Sequence, residues 1–218
     1  MGTPGILDGR LQFPDPRQSD DNGLVAVGGD LSMARLRLAY RSGLFPWSVN
    51  PISWWSPDPR GVFELDLFHL PGSFAKFLRR QPFTVTINRA FRAVIEACAT
   101  ADRKGVWISP EFIEAYTRLH ESGDAHSVEC WQDDQLVGGI YGVHQGGLFA
   151  GESMFHRATN ASKVALWHLV QRLRVREFPL FDIQMVTPVT RQFGAVEISR
   201  DEYLRRLAGA VEMNCSFV

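Results

Sequence analysis

This chain is 218 residues long, which suffices for one ample hydrophobic core or for two small domains. Apolar residues make up 45% and charged residues 22%, as in ordinary soluble globular proteins, and the net charge of −1 excludes a global attraction to nucleic acid or membrane. No run approaches the roughly 20 apolar residues of a membrane span, and no signal peptide is predicted. The three separated cysteines are interpreted as reduced thiols of a cytoplasmic protein, and neither they nor the six scattered histidines have the spacing of a metal site.

The first 65 residues are rich in turn-forming residues and predict a small N-terminal domain of loops and short helices. Asp30 or Ser32 can cap a helix that Gly43 ends. Prolines restrict the backbone in segments 45–47 and 54–60, so these tryptophan-rich segments are interpreted as rigid aromatic loops.

The remaining residues, 66–218, predict a second domain with an α/β (α+β) pattern. In chain order the periodicity predicts a basic helix over 73–80, a strand over 83–87, helices over 88–99 and 110–123, strands over 127–131, 136–143 and 148–155, a helix over 160–176 and a strand over 180–186. This order of elements indicates a mixed sheet with helices packed on it.

Two carboxylates and an amide lie in two of the predicted strands. Glu152 stands in an apolar, glycine-flanked strand, and Asp182 and Gln184 are two residues apart on another, so we expect these two to share a face. A buried acid costs free energy unless it is hydrogen-bonded or used in chemistry. Acids on two such strands therefore predict a pocket rather than a plain core.

Four apolar residues near Glu152 fit either a core or a pocket. Residue-type statistics favour a core for Ile140, Phe149, Met154 and Leu169. Glu152 is expected to share a strand face with Met154, and a methionine adapts its shape to related apolar groups. This pairing favours the pocket.

Two further segments have alternative interpretations. Tryptophans near Lys76, Arg79 and Arg80 suit the end of a nucleic acid, because bases stack on rings and cations hold phosphates, but loop tryptophans more often staple a loop to the core. The helix start at 160–163 has backbone N–H groups that suit an anion, although a plain helix cap is the favoured interpretation. Glycines within 138–142 are interpreted as strand residues that admit close backbone approach.

A series of specific motifs runs along nearly the whole chain. They are Gly23-Leu-Val-Ala-Val-Gly-Gly-Asp-Leu-Ser32, Gly43-Leu-Phe-Pro-Trp47, Trp54-Trp-Ser-Pro-Asp-Pro-Arg60, Ala125-His-Ser-Val-Glu129, Leu136-Val-Gly-Gly139, Gly151-Glu-Ser-Met-Phe155, Ala161-Ser-Lys163 and Asp182-Ile-Gln184. In this order they resemble the bacterial leucyl/phenylalanyl-tRNA–protein transferase family. The motifs at 54–60 and 151–155 are highly specific when they occur together.

The resemblance implies an aminoacyltransferase. Members of the family move leucine or phenylalanine, and less often methionine, from aminoacyl-tRNA to proteins that begin with arginine or lysine. The product is a substrate for N-end-rule degradation by the adaptor-guided Clp protease. The resemblance also implies a C-terminal domain with a GNAT-like fold, no metal and no coenzyme, and we expect a cytoplasmic monomer without membrane contact.

The resemblance assigns roles to residues by position. It implies a polar catalytic centre of Glu152, Asp182 and Gln184. Within this centre we expect Asp182 to accept the proton of the attacking amine or to stabilise its growing positive charge. Glu152 is expected either to attract the cationic side chain of the acceptor or to hold the α-amino group of the donor. It implies a pocket for the donor side chain formed by Ile140, Phe149, Met154 and Leu169. It implies contacts to the terminal adenosine and the acceptor stem from Tyr40, Trp47, Trp107, Tyr116, Lys76, Arg79 and Arg80.

Three alternatives stay open, and the chain departs from the usual family sequence in two segments, 106–108 and 187–195. An acetyl-CoA-dependent acetyltransferase would share the fold, but the run 155–163 before the long helix contains no glycine to hold a pyrophosphate. A non-catalytic tRNA-binding module has no evident need for both acids. A related family transfers leucine to N-terminal aspartate or glutamate. The segment 187–195 differs from the usual family sequence, so we expect a different loop over the acceptor site.

Overall fold

The computed structural model of the protein describes residues 2–101 and 107–218. The smaller of its two sheets has the strand order β1-β2-β4-β3. Its elements are β1 (Gly5–Leu7), β2 (Leu24–Gly28), α1 (Met33–Arg41), β3 (Phe45–Val49) and β4 (Ile52–Trp55). Within the described ranges, no helix combines the length and the apolar content that crossing a membrane requires.

The larger sheet has seven strands in the order β11-β5-β10-β9-β8-β7-β6. Strands β9 and β10 are parallel and the other neighbours are antiparallel, so the sheet is mixed. The elements after β4 are β5 (Arg60–Phe63), α2 (Gly72–Leu78), β6 (Thr84–Ile87), α3 (Phe91–Ala99), α4 (Pro110–Glu121), β7 (Ala125–Gln132), β8 (Gln135–Gln145), β9 (Leu148–His156), α5 (Ala161–Val175), β10 (Leu180–Gln184), α6 (Pro188–Gln192), β11 (Ala195–Ile198) and α7 (Arg200–Ala210).

The predicted mixed α/β class is confirmed, and so are the elements from α2 to β10, each within a few residues of its expected ends. The segment 187–195, expected to be a loop, contains the short helix α6. Thr187 caps this helix, because its hydroxyl accepts a hydrogen bond from the backbone N–H of Thr190.

Over residues 1–65 the predicted helix is α1, which Ser32 caps, whereas the prediction of loops for the remainder is wrong, because four strands form a sheet there. Pro46 is compatible with a strand since β3 lies at the sheet edge, where a missing N–H breaks no ladder. Trp54 is fully buried, and its indole N–H donates to the carbonyl of Gly28 at 2.9 Å. β5 belongs to the larger sheet, so the change of sheet falls between Trp55 and Arg60. The domain limits 1–65 and 66–218 stay a prediction.

Close packing of α5 against the sheet depends on a glycine. A Cβ atom on Gly138 in β8 would lie 2.4 Å from the Cβ of Ala161, the first residue of α5. The absence of a side chain there lets the start of α5 rest on the sheet, as expected for a strand glycine. Asn160 precedes the helix with φ of 67°, and its side chain makes no capping hydrogen bond.

Two irregular strands open the sheet at its centre. β9 and β10 pair from Leu180 and Leu148 to Asp182 and Ala150. Just beyond, Glu152 is an extra residue in β9 relative to β8, and Ile183 is an extra residue in β10 relative to β5. Such bulges re-aim side chains and end pairing. The two strands therefore bring their next residues to one cavity.

Candidate active site

A cavity of about 160 Å³ lies where β9 and β10 stop pairing. We call it the Glu152 cavity. Its wall is mostly apolar, with one carboxylate and one amide side chain. It is lined by Phe63, Ile140, Gly151, Glu152, Ser153, Met154, Leu166, Ile183, Gln184, Met185, Thr187 and Thr190.

Glu152 is the only ionisable side chain among the described residues that line this cavity. Its Oε1 accepts a hydrogen bond from the Gln184 amide at 3.0 Å, and its Oε2 accepts one from the Tyr116 hydroxyl at 3.4 Å. The Tyr116 hydroxyl lies 2.5 Å from that of Tyr40. Glu152 therefore combines fixed hydrogen-bond partners with partial exposure to the cavity.

The environment holds Glu152 in its neutral form over much of the physiological range. Burial is the main cause that raises the pKa of Glu152 to about 8, and the negative charge of Asp182 adds to the rise. The hydroxyls of Tyr40 and Tyr116 and the charge of Arg60 act in the opposite direction. Burial also raises the pKa of both tyrosines, so both keep their protons.

Asp182 does not line the cavity, and each oxygen of its carboxylate accepts two hydrogen bonds. Its Oδ1 accepts from the Arg60 Nε at 2.9 Å and from the Gln184 backbone N–H at 2.9 Å. Its Oδ2 accepts from the Arg60 Nη2 at 2.7 Å and from the Tyr203 hydroxyl at 2.9 Å. Burial by itself lowers the pKa of Arg60. The negative charge of Asp182 outweighs this effect and raises the pKa of Arg60 above its ordinary value. This arrangement leaves Asp182 no contact with the cavity.

Gln184 joins the two acids. Its φ of 57° is in the left-handed region, which residues other than glycine rarely adopt. The backbone N–H is held by Asp182 while the side-chain amide reaches Glu152. We conclude that the bulged end of β10 fixes the direction of this amide.

The apolar pocket differs in part from the predicted one. Ile140 and Met154 line the cavity, whereas Phe149 and Leu169 are each 1% exposed and pack behind it. Further residues that line the cavity were not predicted from the sequence, namely Phe63, Leu166, Ile183, Met185, Thr187 and Thr190. Leu166 was the most accessible of these to prediction, because it lies three residues before Leu169 on the same helix face.

The predicted aromatic residues separate into two pairs. Tyr40 and Tyr116 are buried and meet Glu152. Trp47 packs against Trp55 with ring centroids 5.4 Å apart, and Trp107 packs against Phe112 at 5.1 Å. Neither tryptophan is among the described residues that line the Glu152 cavity.

The predicted basic residues lie on and just after α2. Lys76, Arg79 and Arg80 are all exposed. Lys76 and Arg80 line a second cavity together with Lys163 from the first turn of α5. Among the described residues, no group of three His, Cys, Asp or Glu side chains is arranged to hold a metal ion.

A carboxylate with a raised pKa beside an apolar cavity is typical of an enzyme active site. The family model described as leucyl/phenylalanyl-tRNA protein transferase matches residues 62–208, and that of the N-terminal domain of the same family matches residues 29–58. The chain belongs to the leucyl/phenylalanyl-tRNA protein transferase family, which confirms the resemblance.

Proteins similar to this chain along most of its length bear the name of the same family. A leucyl/phenylalanyl-tRNA–protein transferase of Pectobacterium carotovorum is 53% identical over 202 residues, which cover 91% of this chain and 86% of that protein. One of Pseudoalteromonas atlantica is 50% identical over 212 residues, which cover 94% and 91%. Among solved structures, a GCN5-related N-acetyltransferase from Kribbella flavida has a TM-score of 0.41 and 14% identity, covering 80% of this chain and 63% of that one. A likeness of this degree carries no argument about function.

Proposed function

We propose that this protein moves leucine or phenylalanine, and less often methionine, from aminoacyl-tRNA to the N-terminal arginine or lysine of a protein, which marks that protein for N-end-rule degradation. The type of reaction is proposed from the name of the family to which the chain belongs. The observation that carries the proposal is Glu152, a carboxylate with a pKa of about 8 at the wall of an apolar cavity.

The Glu152 cavity has the size and the chemistry for the donor side chain. Its volume of about 160 Å³ is close to that of an engineered apolar cavity of roughly 150 Å³ that binds benzene. Ile140, Met154 and Leu166 give it an apolar wall, and the flexible Met154 adapts to either leucine or phenylalanine. Specificity is graded, because one methylene in such a pocket changes binding by only about 1–3 kcal/mol.

The reaction is aminolysis of an ester, and Glu152 carries the proton. The neutral α-amine forms a bond to the aminoacyl carbonyl carbon, and the bond from that carbon to the ribose oxygen breaks. The amine loses a proton and the ribose oxygen gains one. Because Glu152 is largely neutral at physiological pH, its carboxyl group donates its proton to the ribose oxygen while its other oxygen accepts the proton of the amine. Its pKa of about 8 matches the pKa of roughly 8 of an α-amine, which suits both transfers.

Asp182 acts through Gln184 rather than on the substrate. This assignment replaces the expected role of Asp182 as the acceptor of the amine's proton. Both of its oxygen atoms already accept hydrogen bonds from Arg60, Tyr203 and the Gln184 backbone, and the residue is fully buried. Asp182 is thus a positioning residue that holds Gln184 against Glu152.

The exposed cations on and just after α2 bind the RNA. Lys76, Arg79 and Arg80 offer charges to phosphates of the acceptor stem. The chain as a whole carries a net charge of −1, so RNA binding needs such a local cluster.

Transfer of labelled leucine from leucyl-tRNA to short peptides tests the proposal. The peptides begin with arginine, lysine, aspartate or alanine and are otherwise identical. We expect transfer to the first two and background levels with the last two. The Glu152→Gln variant is the matched control, because it keeps the size of the side chain but cannot accept a proton. Transfer to the aspartate peptide in place of the arginine peptide would refute the proposed acceptor.

A further inference from the structure

Two further cavities are lined by residues at the start of α5. The Lys163 cavity has a volume of about 560 Å³ and is lined by Ala97, Thr100, Ala101, Met154, Phe155, His156, Arg157, Ser162, Lys163, Thr187 and Val189. The α2 cavity has a volume of about 330 Å³ and is lined by Pro71, Ser73, Phe74, Lys76, Phe77, Arg80, Asn160, Lys163, Gln192 and Phe193.

The three cavities are neighbours, because they share wall residues. Met154 and Thr187 line both the Glu152 cavity and the Lys163 cavity. Lys163 lines both the Lys163 cavity and the α2 cavity. Each cavity thus borders the next, from the carboxylate of Glu152, past Lys163, to the basic side of α2, and we call this series of cavities the path.

The path beyond the Glu152 cavity is positively charged. Arg157 and Lys163 line the Lys163 cavity, and Lys76, Arg80 and Lys163 line the α2 cavity. The described residues that line these two cavities include no Asp or Glu. In a chain with a net charge of −1, this separation of charge favours an anionic ligand that extends along the path.

The structure holds the two cations of the Lys163 cavity in place. Lys163 lies in the first turn of α5, and the contact of Gly138 with Ala161 fixes that turn on the sheet. The Arg157 guanidinium donates to the Leu136 carbonyl at 3.2 Å and lies 5.4 Å from the centroid of the Phe155 ring. Among the described residues this is its one hydrogen-bond acceptor, and a guanidinium has five N–H groups, so Arg157 can also donate to a further ligand.

We propose that the Lys163 cavity holds the phosphodiester backbone of the unpaired 3′-terminal nucleotides of the donor RNA, with Lys163 and Arg157 on its phosphates. The inference rests on the proposed function, since it connects an ester in the Glu152 cavity with a stem at α2. The other chain that must reach Glu152 is the acceptor peptide. Its N-terminal arginine or lysine is repelled by the same cations, so the path suits the RNA.

Binding of uncharged RNA tests the path without any transfer reaction. The probe is a labelled RNA hairpin that ends in unpaired CCA, compared with the same hairpin cut back to its blunt stem. We expect Lys163→Ala to weaken binding of the CCA hairpin about tenfold, as for one lost charged hydrogen bond. Binding of the blunt stem weakens less, because Lys163 is only one of three cations in the α2 cavity. Each lost single-strand phosphate contact also makes the slope of the logarithm of the binding constant against the logarithm of the salt concentration less steep, by about 0.7.

Three further variants complete the experiment. Lys163→Arg keeps the charge and restores binding of the CCA hairpin, and Arg157→Ala behaves like Lys163→Ala. Arg118→Ala removes an exposed arginine beside Glu111 and Glu114 on α4, and leaves both probes unchanged. Equal loss of both probes in Lys163→Ala, or no loss, overturns the inference. A wild-type protein that keeps the CCA preference and its dependence on Lys163, but transfers no leucine to any of the peptides, would refute the proposed function alone.

Discussion

Arg60 and Asp182 form a two-point ion pair between neighbouring strands of the larger sheet. The two hydrogen bonds measure 2.9 and 2.7 Å, and each side chain is 1% exposed. Arg60 also donates to the Gly43 carbonyl at 3.1 Å, and Tyr203 of α7 donates to Asp182. Both charges are therefore buried with a nearly complete set of partners, which is the condition under which a buried pair is tolerated.

Removal of Arg60 alone should destabilise the fold strongly. Arg60→Met leaves the charge of Asp182 buried without its main partner, and we expect the free energy of unfolding to fall by about 3–5 kcal/mol. Urea denaturation followed by tryptophan fluorescence measures this change. The control is Arg205→Ala, because Arg205 pairs with Glu202 at the surface and such pairs contribute about 0–1 kcal/mol. Equal effects of the two substitutions would contradict the importance of the buried pair.

Variants of the two acids should separate chemistry from positioning. Glu152→Gln cannot carry the proton, so we expect the rate constant of transfer, measured in a single turnover, to fall about 100- to 10,000-fold. Asp182→Asn leaves Arg60 without its counter-charge, so its rate is compared per folded molecule. It keeps an oxygen that accepts from the Gln184 backbone, and we expect a loss of about tenfold, as for one weakened hydrogen bond. A larger loss in Asp182→Asn than in Glu152→Gln would return the role of base to Asp182.

The pKa of Glu152 should also appear in the pH dependence of stability. Its pKa rises from 4.5 to about 8 on folding, so between these values the folded state keeps a proton that the unfolded state loses. The contribution of Glu152 to the free energy of unfolding therefore decreases as the pH rises through this window. Glu152→Gln removes this dependence. We expect the variant to gain at least about 1 kcal/mol relative to wild type between the two ends of the window, the equivalent of about one pKa unit. Parallel curves for the two proteins would contradict the raised pKa.

The sequence predicted elements with strong local signals. The turn at Asp133 and Asp134, both with positive φ, closes β7 and β8 into a hairpin, and acidic turn residues are typical of that geometry. Strands β3 and β4 had no such signal. Pro46 and the tryptophans obscured them. Among the described strands β3 pairs only with β4, and the pairing of β4 with β2 joins residues far apart in the chain.

Part of the site was equally accessible to prediction. Glu152 and Gln184 meet as expected for acids and amides on strands near one pocket. The bulge at Ile183 turned Asp182 away from the cavity, and strand alternation alone does not predict a bulge. Arg60 lies 122 residues from Asp182, so nothing in the local sequence revealed their contact.

Filling the Glu152 cavity should change the choice of donor. Leu166 lines the cavity and Leu169 lies one turn further along α5, outside the wall. Leu166→Phe takes up space that a phenylalanine side chain needs more than a leucine does. We expect kcat/KM for phenylalanyl-tRNA to fall about 10- to 200-fold further than that for leucyl-tRNA, the range for apolar pockets that differ by a small group.

Leu169→Phe is the matched control for this substitution. It adds the same atoms to the same helix at an equally buried position, so its cost in packing is comparable. Because Leu169 does not line the cavity, the ratio of the two kcat/KM values should stay that of the wild type. The measurement is competitive transfer from a mixture of the two charged tRNAs to one arginine peptide. A change of ratio in Leu169→Phe and none in Leu166→Phe would place the donor side chain behind the wall, among Phe149 and Leu169.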